Sequence, residues 1–261
     1  MGEAKRKQTL KDRIIERQPF CVYCGGETPA TTVDHMPPIT MFDLRDRPKG
    51  LEFSACHDCN MSSSKVDLVA GLMSRIFPNS ERAGAKEELG KIMKNVNRFN
   101  PGLLEEMRPS RDKLEGFLRK FGKMPPNIGG PLNASGPLLN AAMNKFAAKL
   151  GLALHYHTTG SILPVTGALG VRWFSNFEAW QGKLPEELVG MFPNPKTLKQ
   201  GQKHVSDQFL YDSIHAPEAG MSGHYATFRN SFAVMAIAAE VDNEAVNEKT
   251  KNMFRPGCLK N

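Results

Sequence analysis

Cys21-Val22-Tyr23-Cys24-Gly25-Gly26, then Thr31-Thr32-Val33-Asp34-His35-Met36-Pro37-Pro38, then Cys56-His57-Asp58-Cys59-Asn60: these three runs make residues 21 to 60 the stretch whose reading decides the fold. Four of the five cysteines fall into two CxxC pairs. Two pairs so close together, in a reducing compartment, point to a structural metal rather than to disulfides. Four thiolates from Cys21, Cys24, Cys56 and Cys59 give the closed tetrahedral set of a zinc site, and Gly25 and Gly26 let the backbone curl behind the first pair. Redox dithiols are the alternative, and they leave the residues in between without a role.

The 31 residues between Cys24 and Cys56 are more than a minimal zinc ribbon needs, so an insert of β-hairpin size is expected there. Within it a β-favouring run delivers Asp34 and His35 side by side. Neighbouring side chains on a strand point to opposite faces, so the two reach one centre only if the backbone bends, as Pro37 and Pro38 allow. Asn60 directly follows the last cysteine of the set. The carboxylate of Asp34 and the amide oxygen of Asn60 are hard ligands that suit Mg2+ or Mn2+.

Outward from this stretch, residues 3 to 17 read as a short basic helix, stopped by Pro19. Its Lys5, Arg6, Lys7, Lys11, Arg13 and Arg17 suit either a phosphate backbone or plain solvent. After the second pair, Ser62 to Ser64 supply N-cap chemistry for a helix with Val66, Val69, Leu72, Met73 and Ile76 on one stripe. Further helical stripes run through Leu89, Ile92, Met93, Val96 and Phe99, then through Leu114, Phe117, Leu118 and Phe121 after Ser110. Residues 123 to 137, rich in Pro and Gly, read as a linker. A helix through Leu138, Leu139, Ala142, Phe146 and Leu150 follows, then strand-like runs near 170–177, 208–215 and 224–241, the last ending in an apolar stretch that is either strand or helix.

The fold class expected is α+β, in three parts: a zinc-stapled module with a basic N-terminal helix at residues 1–78, a helical connector at 79–125, and a larger α+β domain of unknown role at 126–261. A formal net charge of +7 is compatible with a nucleic-acid partner without requiring one. No run approaches the roughly 18 apolar residues of a membrane helix, and the charged N-terminus lacks the apolar core of a signal peptide. A cytoplasmic protein with no membrane partner is the corresponding expectation, with a homo-oligomer left open. His155 and His157 read as a capped helix end rather than a metal pair. His204, Ser206 and Asp207 lack the nucleophile-elbow sequence of a hydrolase. Cys258 receives no role.

The pattern CVYCGG, VDHMPP and CHDCN, followed by a helix carrying serines and a lysine, resembles the HNH (ββα-metal) endonucleases with a four-cysteine zinc site, and its spacing is similar to the endonuclease VII type. The resemblance covers about residues 20 to 68. It implies that the four cysteines bind structural Zn2+, that His35 activates water, and that Asp34 and Asn60 hold a catalytic Mg2+ or Mn2+ against the phosphate of DNA. The implied activity is endonucleolytic hydrolysis leaving a 5′-phosphate. Lys65, Arg45, Arg47 and Lys49 flank the site as candidate phosphate contacts. One departure stands out: where many HNH chains carry an asparagine about five residues before the third zinc cysteine, this chain reads Gly50-Leu51-Glu52-Phe53-Ser54-Ala55. Glu52 is one candidate to orient the histidine strand instead, and the backbone alone is the other. Two other readings follow from the same residues, a zinc-stabilised nucleic-acid-binding module without catalysis and a nuclease gated by its C-terminal half.

Overall fold

The computed structural model describes residues 9–76, 83–122, 132–241 and 252–260. Helix α1 (Leu10–Arg17) opens on a capping box in which Thr9 Oγ1 accepts from Asp12 N at 3.1 Å while Asp12 accepts from Thr9 N. Lys5, Arg6 and Lys7 of the expected basic helix lie outside the described residues. Strands β1 (Thr32–His35) and β2 (Glu52–Ala55) pair antiparallel, with Asp34 opposite Phe53 and His35 opposite Glu52. Helix α2 (His57–Arg75) follows at once.

That helix begins earlier than its serines suggest. Its N-cap is Cys56, whose sulfur accepts from Cys59 N at 3.4 Å, so a cysteine of the second CxxC pair supplies the cap. Ser63 and Ser64 turn their hydroxyls back onto the carbonyls of Asn60 and Met61 at 3.0 and 2.7 Å, and Ser62 bonds the Asp58 carbonyl. Serines bond so inside a helix as readily as at its start.

Helices α3 (Ala85–Phe99), α4 (Leu103–Glu106) and α5 (Arg111–Phe121) come next, α5 capped by Ser110 as its sequence implies. Residues 123–131, most of the expected linker, lie outside the described residues. Helix α6 (Pro137–Thr159) starts with a proline in its first turn and stops at Gly160, whose φ of 76° is the left-handed conformation of a helix stop.

The chain then builds β3 (Ala168–Ser175), short helices α7 (Asn176–Trp180) and α8 (Glu186–Gly190), and a small hairpin of β4 (Lys199–Gln200) and β5 (Lys203–His204). The last strands are β6 (Leu210–Ala216), β7 (Met221–Phe228), β8 (Phe232–Ala239) and β9 (Asn252–Phe254). Five of these strands form one antiparallel sheet in the order β6-β7-β8-β3-β9. The sequence run at 224–241 therefore divides at Arg229, whose φ of 52° turns the chain between β7 and β8. Its apolar end is the strand β8, buried along most of its length because it lies between β3 and β7.

Helix α6 lies across this sheet at close range: a methyl placed on Gly151 would meet the Ala236 methyl at 2.8 Å. Phe146 of α6 packs edge-on against Phe228 and Phe232. The same helix packs against α2, and a single apolar core runs from Cys21 and Phe53 through Leu72 and Phe146 to Val234 and Leu259. The molecule is thus α+β, with the cysteine-bearing β1-β2-α2 unit sharing its core with the sheet behind α6.

Candidate metal centre and the polar cluster beside it

The four sulfurs of Cys21, Cys24, Cys56 and Cys59 lie within 4.8 Å of one another, and all four residues are buried. A tetrahedral zinc with sulfurs at ~2.3 Å separates them by roughly 3.8 Å, so the cluster fits such an ion with little adjustment. Tyr23 N and Cys59 N each donate to a sulfur two or three residues away at 3.4 Å, the N–H···S pattern that favours thiolate. A hydrogen bond from the Cys59 thiol, opposed by burial, takes Cys21 down to about 5. Among the described residues this is the one group of three or more His, Cys, Asp or Glu side chains arranged to hold a metal.

The knuckle is held from two directions. A Cβ on Gly25, whose φ is 69°, would meet the Val165 side chain at 2.5 Å, so that turn seats tightly on the loop before β3. From the other side the chain's last described residues close over it. Gly257 N donates to Tyr23 O at 2.8 Å, Ser62 Oγ to Leu259 O at 2.6 Å, and Leu259 is fully buried. Lys260, held to Thr28 Oγ1 at 3.2 Å, has its pKa raised: slight desolvation is outweighed by Cys24, Cys59 and Cys56. Four thiolates around a dication leave excess negative charge, which a lysine there offsets.

On β1 the alternation of faces decides what Asp34 and His35 do. Asp34 is buried and His35 exposed, so the strand turns them apart. The chain bends only after them, at the cis Met36–Pro37 bond. His35 stands across from Glu52, and its pKa is lowered by partial desolvation and then by the Arg47 guanidinium, which keeps the imidazole neutral near pH 7. Glu52 does not orient it: its carboxylate pairs with Arg47 at 2.9 Å and accepts from Gly50 N at 2.9 Å.

Asp34 faces the interior, where both its oxygens are engaged. Tyr23 OH donates to Oδ2 at 2.6 Å and Lys149 Nζ to Oδ1 at 3.1 Å. Lys149, fully buried in α6, also donates to Asp67 of α2 at 2.7 Å and lies 5.8 Å from the centre of the Tyr23 ring. Burial opposes the lysine's charge, but Asp34 and Asp67 outweigh it and its pKa is raised. Asn60 donates its amide to Thr32 Oγ1 at 3.1 Å. Asp34 and Asn60, arranged so, do not fit a shared divalent ion: both carboxylate oxygens already accept hydrogen bonds, and a full positive charge about 3 Å from them repels a dication.

The candidate phosphate contacts divide. Lys65 and Lys49 are exposed, as is Arg45. Arg47 is not: its side chain is 3% exposed, and besides Glu52 it donates to the carbonyls of Met36, Pro37, Pro48, Gly50 and Leu51. It organises the loop between β1 and β2 from within. That loop is tied to the rest of the molecule by Asp43, which accepts from Arg75 at 3.3 Å and from Arg229 at 2.9 Å.

Tyr23, Asp67 and Lys149 escaped the reading of the sequence. Lys149 carried a signal, being a charge inside the apolar run FAAKLGLAL; Asp67 likewise interrupts the stripe around Val66 and Val69. His155 does sit near the end of α6, but as part of a buried chain. Its Nδ1 lies 2.8 Å from Ser222 Oγ, which lies 2.8 Å from His224 Nε2, and His224 Nδ1 lies 2.8 Å from Ser213 Oγ. Cys258, left without a role, belongs to the tail that covers the knuckle. Compared with protein-family models, with curated proteins and with solved structures, the chain matches none.

Proposed function

We propose that the chain is a hydrolase of phosphodiester bonds in DNA, of the HNH type. The observation that carries this reading is the β1-β2-α2 unit closed by four clustered cysteines, with His35 on the outward face of β1. Zinc at the cysteines supplies scaffold only, since four protein sulfurs leave it no open position for substrate. His35, exposed and neutral near pH 7, is the base: it accepts a proton from a water that attacks phosphorus as the bond to the 3′-oxygen breaks. Lys65, Lys49 and Arg45, together with Lys11, Arg13 and Arg17 of α1, offer exposed positive charge for the backbone on either side. Magnesium or manganese belongs to this reading as the ion that neutralises phosphate charge, but no step is assigned to it while Asp34 is engaged by Tyr23 and Lys149.

Full-length protein incubated with supercoiled, linear, single-stranded and branched DNA in Mg2+ or Mn2+ is expected to cleave at least one form. His35→Ala is expected to abolish cleavage with zinc content unchanged. Cleavage retained in that variant removes the assignment.

The engagement of Asp34 favours a second reading, a zinc-stabilised module that binds nucleic acid without cutting it. Its signature is salt-sensitive binding with no scission in any metal, and affinity indifferent to His35→Ala.

A further inference from the structure

Two cross-strand pairs of the C-terminal half line one cavity. Lys196 exchanges both backbone hydrogen bonds with Tyr211, at 2.7 and 2.9 Å, on the outer side of the edge strand β6, so their side chains stand next to each other. Lys199 stands opposite His204 in the β4-β5 hairpin, which sets those two side by side in the same way. All four line a cavity of about 630 Å3, together with Ser206 and Leu210, and that volume lies within the roughly 300–1,000 Å3 of ligand sites. Among the described residues no carboxylate lines it, and neither Lys196 nor Lys199 has an acidic partner. Their neighbour Lys203 differs, being paired with Asp46 of the β1-β2 loop. The lining is held in place: Tyr211 stacks on Phe209 at 5.4 Å with its hydroxyl 3.3 Å from His157 Nε2, and Ser206 Oγ lies 3.1 Å from His204 Nδ1. Gln200 Oε1, in the hairpin, accepts from Lys49 N at 3.2 Å and so ties the cavity wall to the β1-β2 loop.

We propose that this cavity binds the phosphate monoester of a nucleotide, either free or at the 5′ end of a strand. A monoester carries a charge of about −1.5 to −2 at pH 7, which the two lysine ammoniums match, whereas a backbone diester carries a single charge. Lysine holds phosphate as a compact point charge with three donors. His204 and Ser206 offer hydrogen bonds to the sugar or the phosphate, and Leu210 with Tyr211 gives the base an apolar wall. His35 does not line the cavity, so the site stands independently of the nuclease reading.

The test is isothermal titration calorimetry of zinc-loaded, full-length protein with deoxyadenosine 5′-monophosphate. Wild type is expected to bind it, and to bind deoxyadenosine about ten-fold more weakly or worse. Lys196→Ala/Lys199→Ala is expected to lose about ten-fold or more in affinity for the nucleotide at an unchanged urea midpoint, since both lysines are exposed. Lys183→Ala, exposed but outside the cavity lining, is expected to bind as wild type does. No binding by wild type, equal binding of the nucleoside, or wild-type affinity in the double variant overturns the site. An equal loss in Lys183→Ala overturns it too, as an effect of net charge. Competing oligonucleotides separate the sources. Displacement by a 5′-phosphorylated single strand but not by its 5′-hydroxyl counterpart assigns the strand end, and displacement by neither assigns the free nucleotide. Equal displacement by both overturns recognition of a monoester.

Discussion

Lys149 Nζ donates to Asp34 Oδ1 at 3.1 Å across 115 residues of chain, joining the strand that carries the adjacent Asp34 and His35 to the central helix of the C-terminal half. Through Asp67 the same ammonium holds α2. Strand, helix and sheet-backing helix therefore meet at one buried charge. A charge so placed adds little net stability, since desolvation offsets the attraction, yet removing one partner is costly because the rest stay buried and unpaired.

Tyr23→Phe tests the other end of this cluster. The phenol is fully buried and its hydroxyl donates to Asp34 at 2.6 Å. Loss of that donor leaves Asp34 with Lys149 alone, and a fall in stability of about 1–3 kcal/mol is expected from urea midpoints, with one zinc per chain retained. A midpoint equal to wild type would show that the hydroxyl does not hold the carboxylate.

The metal centre has its own test, in the tail. Leu259 is fully buried and its carbonyl accepts from Ser62 of α2, while Lys260 reaches Thr28 beside the first cysteine pair. Leu259→Ala is expected to cost about 2–5 kcal/mol and to speed zinc release to a chelator, whereas Cys21→Ser with Cys56→Ser should lose zinc and unfold the β1-β2-α2 unit. Zinc release at the wild-type rate in Leu259→Ala would remove the tail from the metal centre.

The two CxxC pairs, the hairpin between them and the helical stripes were legible because each is a local signal, a ligand spacing or an apolar period of a few residues. The buried cluster around Asp34 was not. Tyr23 is 11 residues away, Asp67 33 and Lys149 115, and no short-range pattern links a lysine in one helix to an aspartate in a distant strand. Arg47 misled for a related reason: beside Arg45 and Lys49 it reads as one more surface cation, and only the folded loop turns its guanidinium onto five carbonyls. The cap of α2 was misplaced because a cysteine sulfur, not a serine hydroxyl, fills that role.

That difference between neighbouring cations predicts a split in nucleic-acid binding. Alanine at Lys65, Lys49 or Arg45 is expected to weaken binding across sequences and lower the slope of log affinity against log salt by about one each if that residue meets a phosphate. Arg47→Ala is expected to leave the slope unchanged and to lower stability by about 3 kcal/mol or more, because the loop carbonyls and Glu52 lose their shared donor. A reduced slope with unchanged stability in Arg47→Ala would return that residue to the phosphate-binding set.

Acid should act through the buried histidine chain. Burial takes His224 down to about 3 and His155 down to about 4, from an ordinary value of 6.5 in the unfolded chain. Above pH 6.5 both states are neutral there and nothing is lost. Below it the unfolded chain takes up protons that the folded one refuses, so stability falls as pH drops from 6.5 toward 4, by about 2 kcal/mol for each histidine at pH 5. Asp67, raised to about 6 chiefly by burial, works in the opposite sense: folded protein binds its proton first, which adds a smaller increment of stability over the same range. His224→Gln removes one histidine and leaves Asp67 alone, so urea midpoints between pH 6.5 and 5 should fall less steeply than in wild type. An unchanged slope would show that His224 is not held neutral in the folded protein.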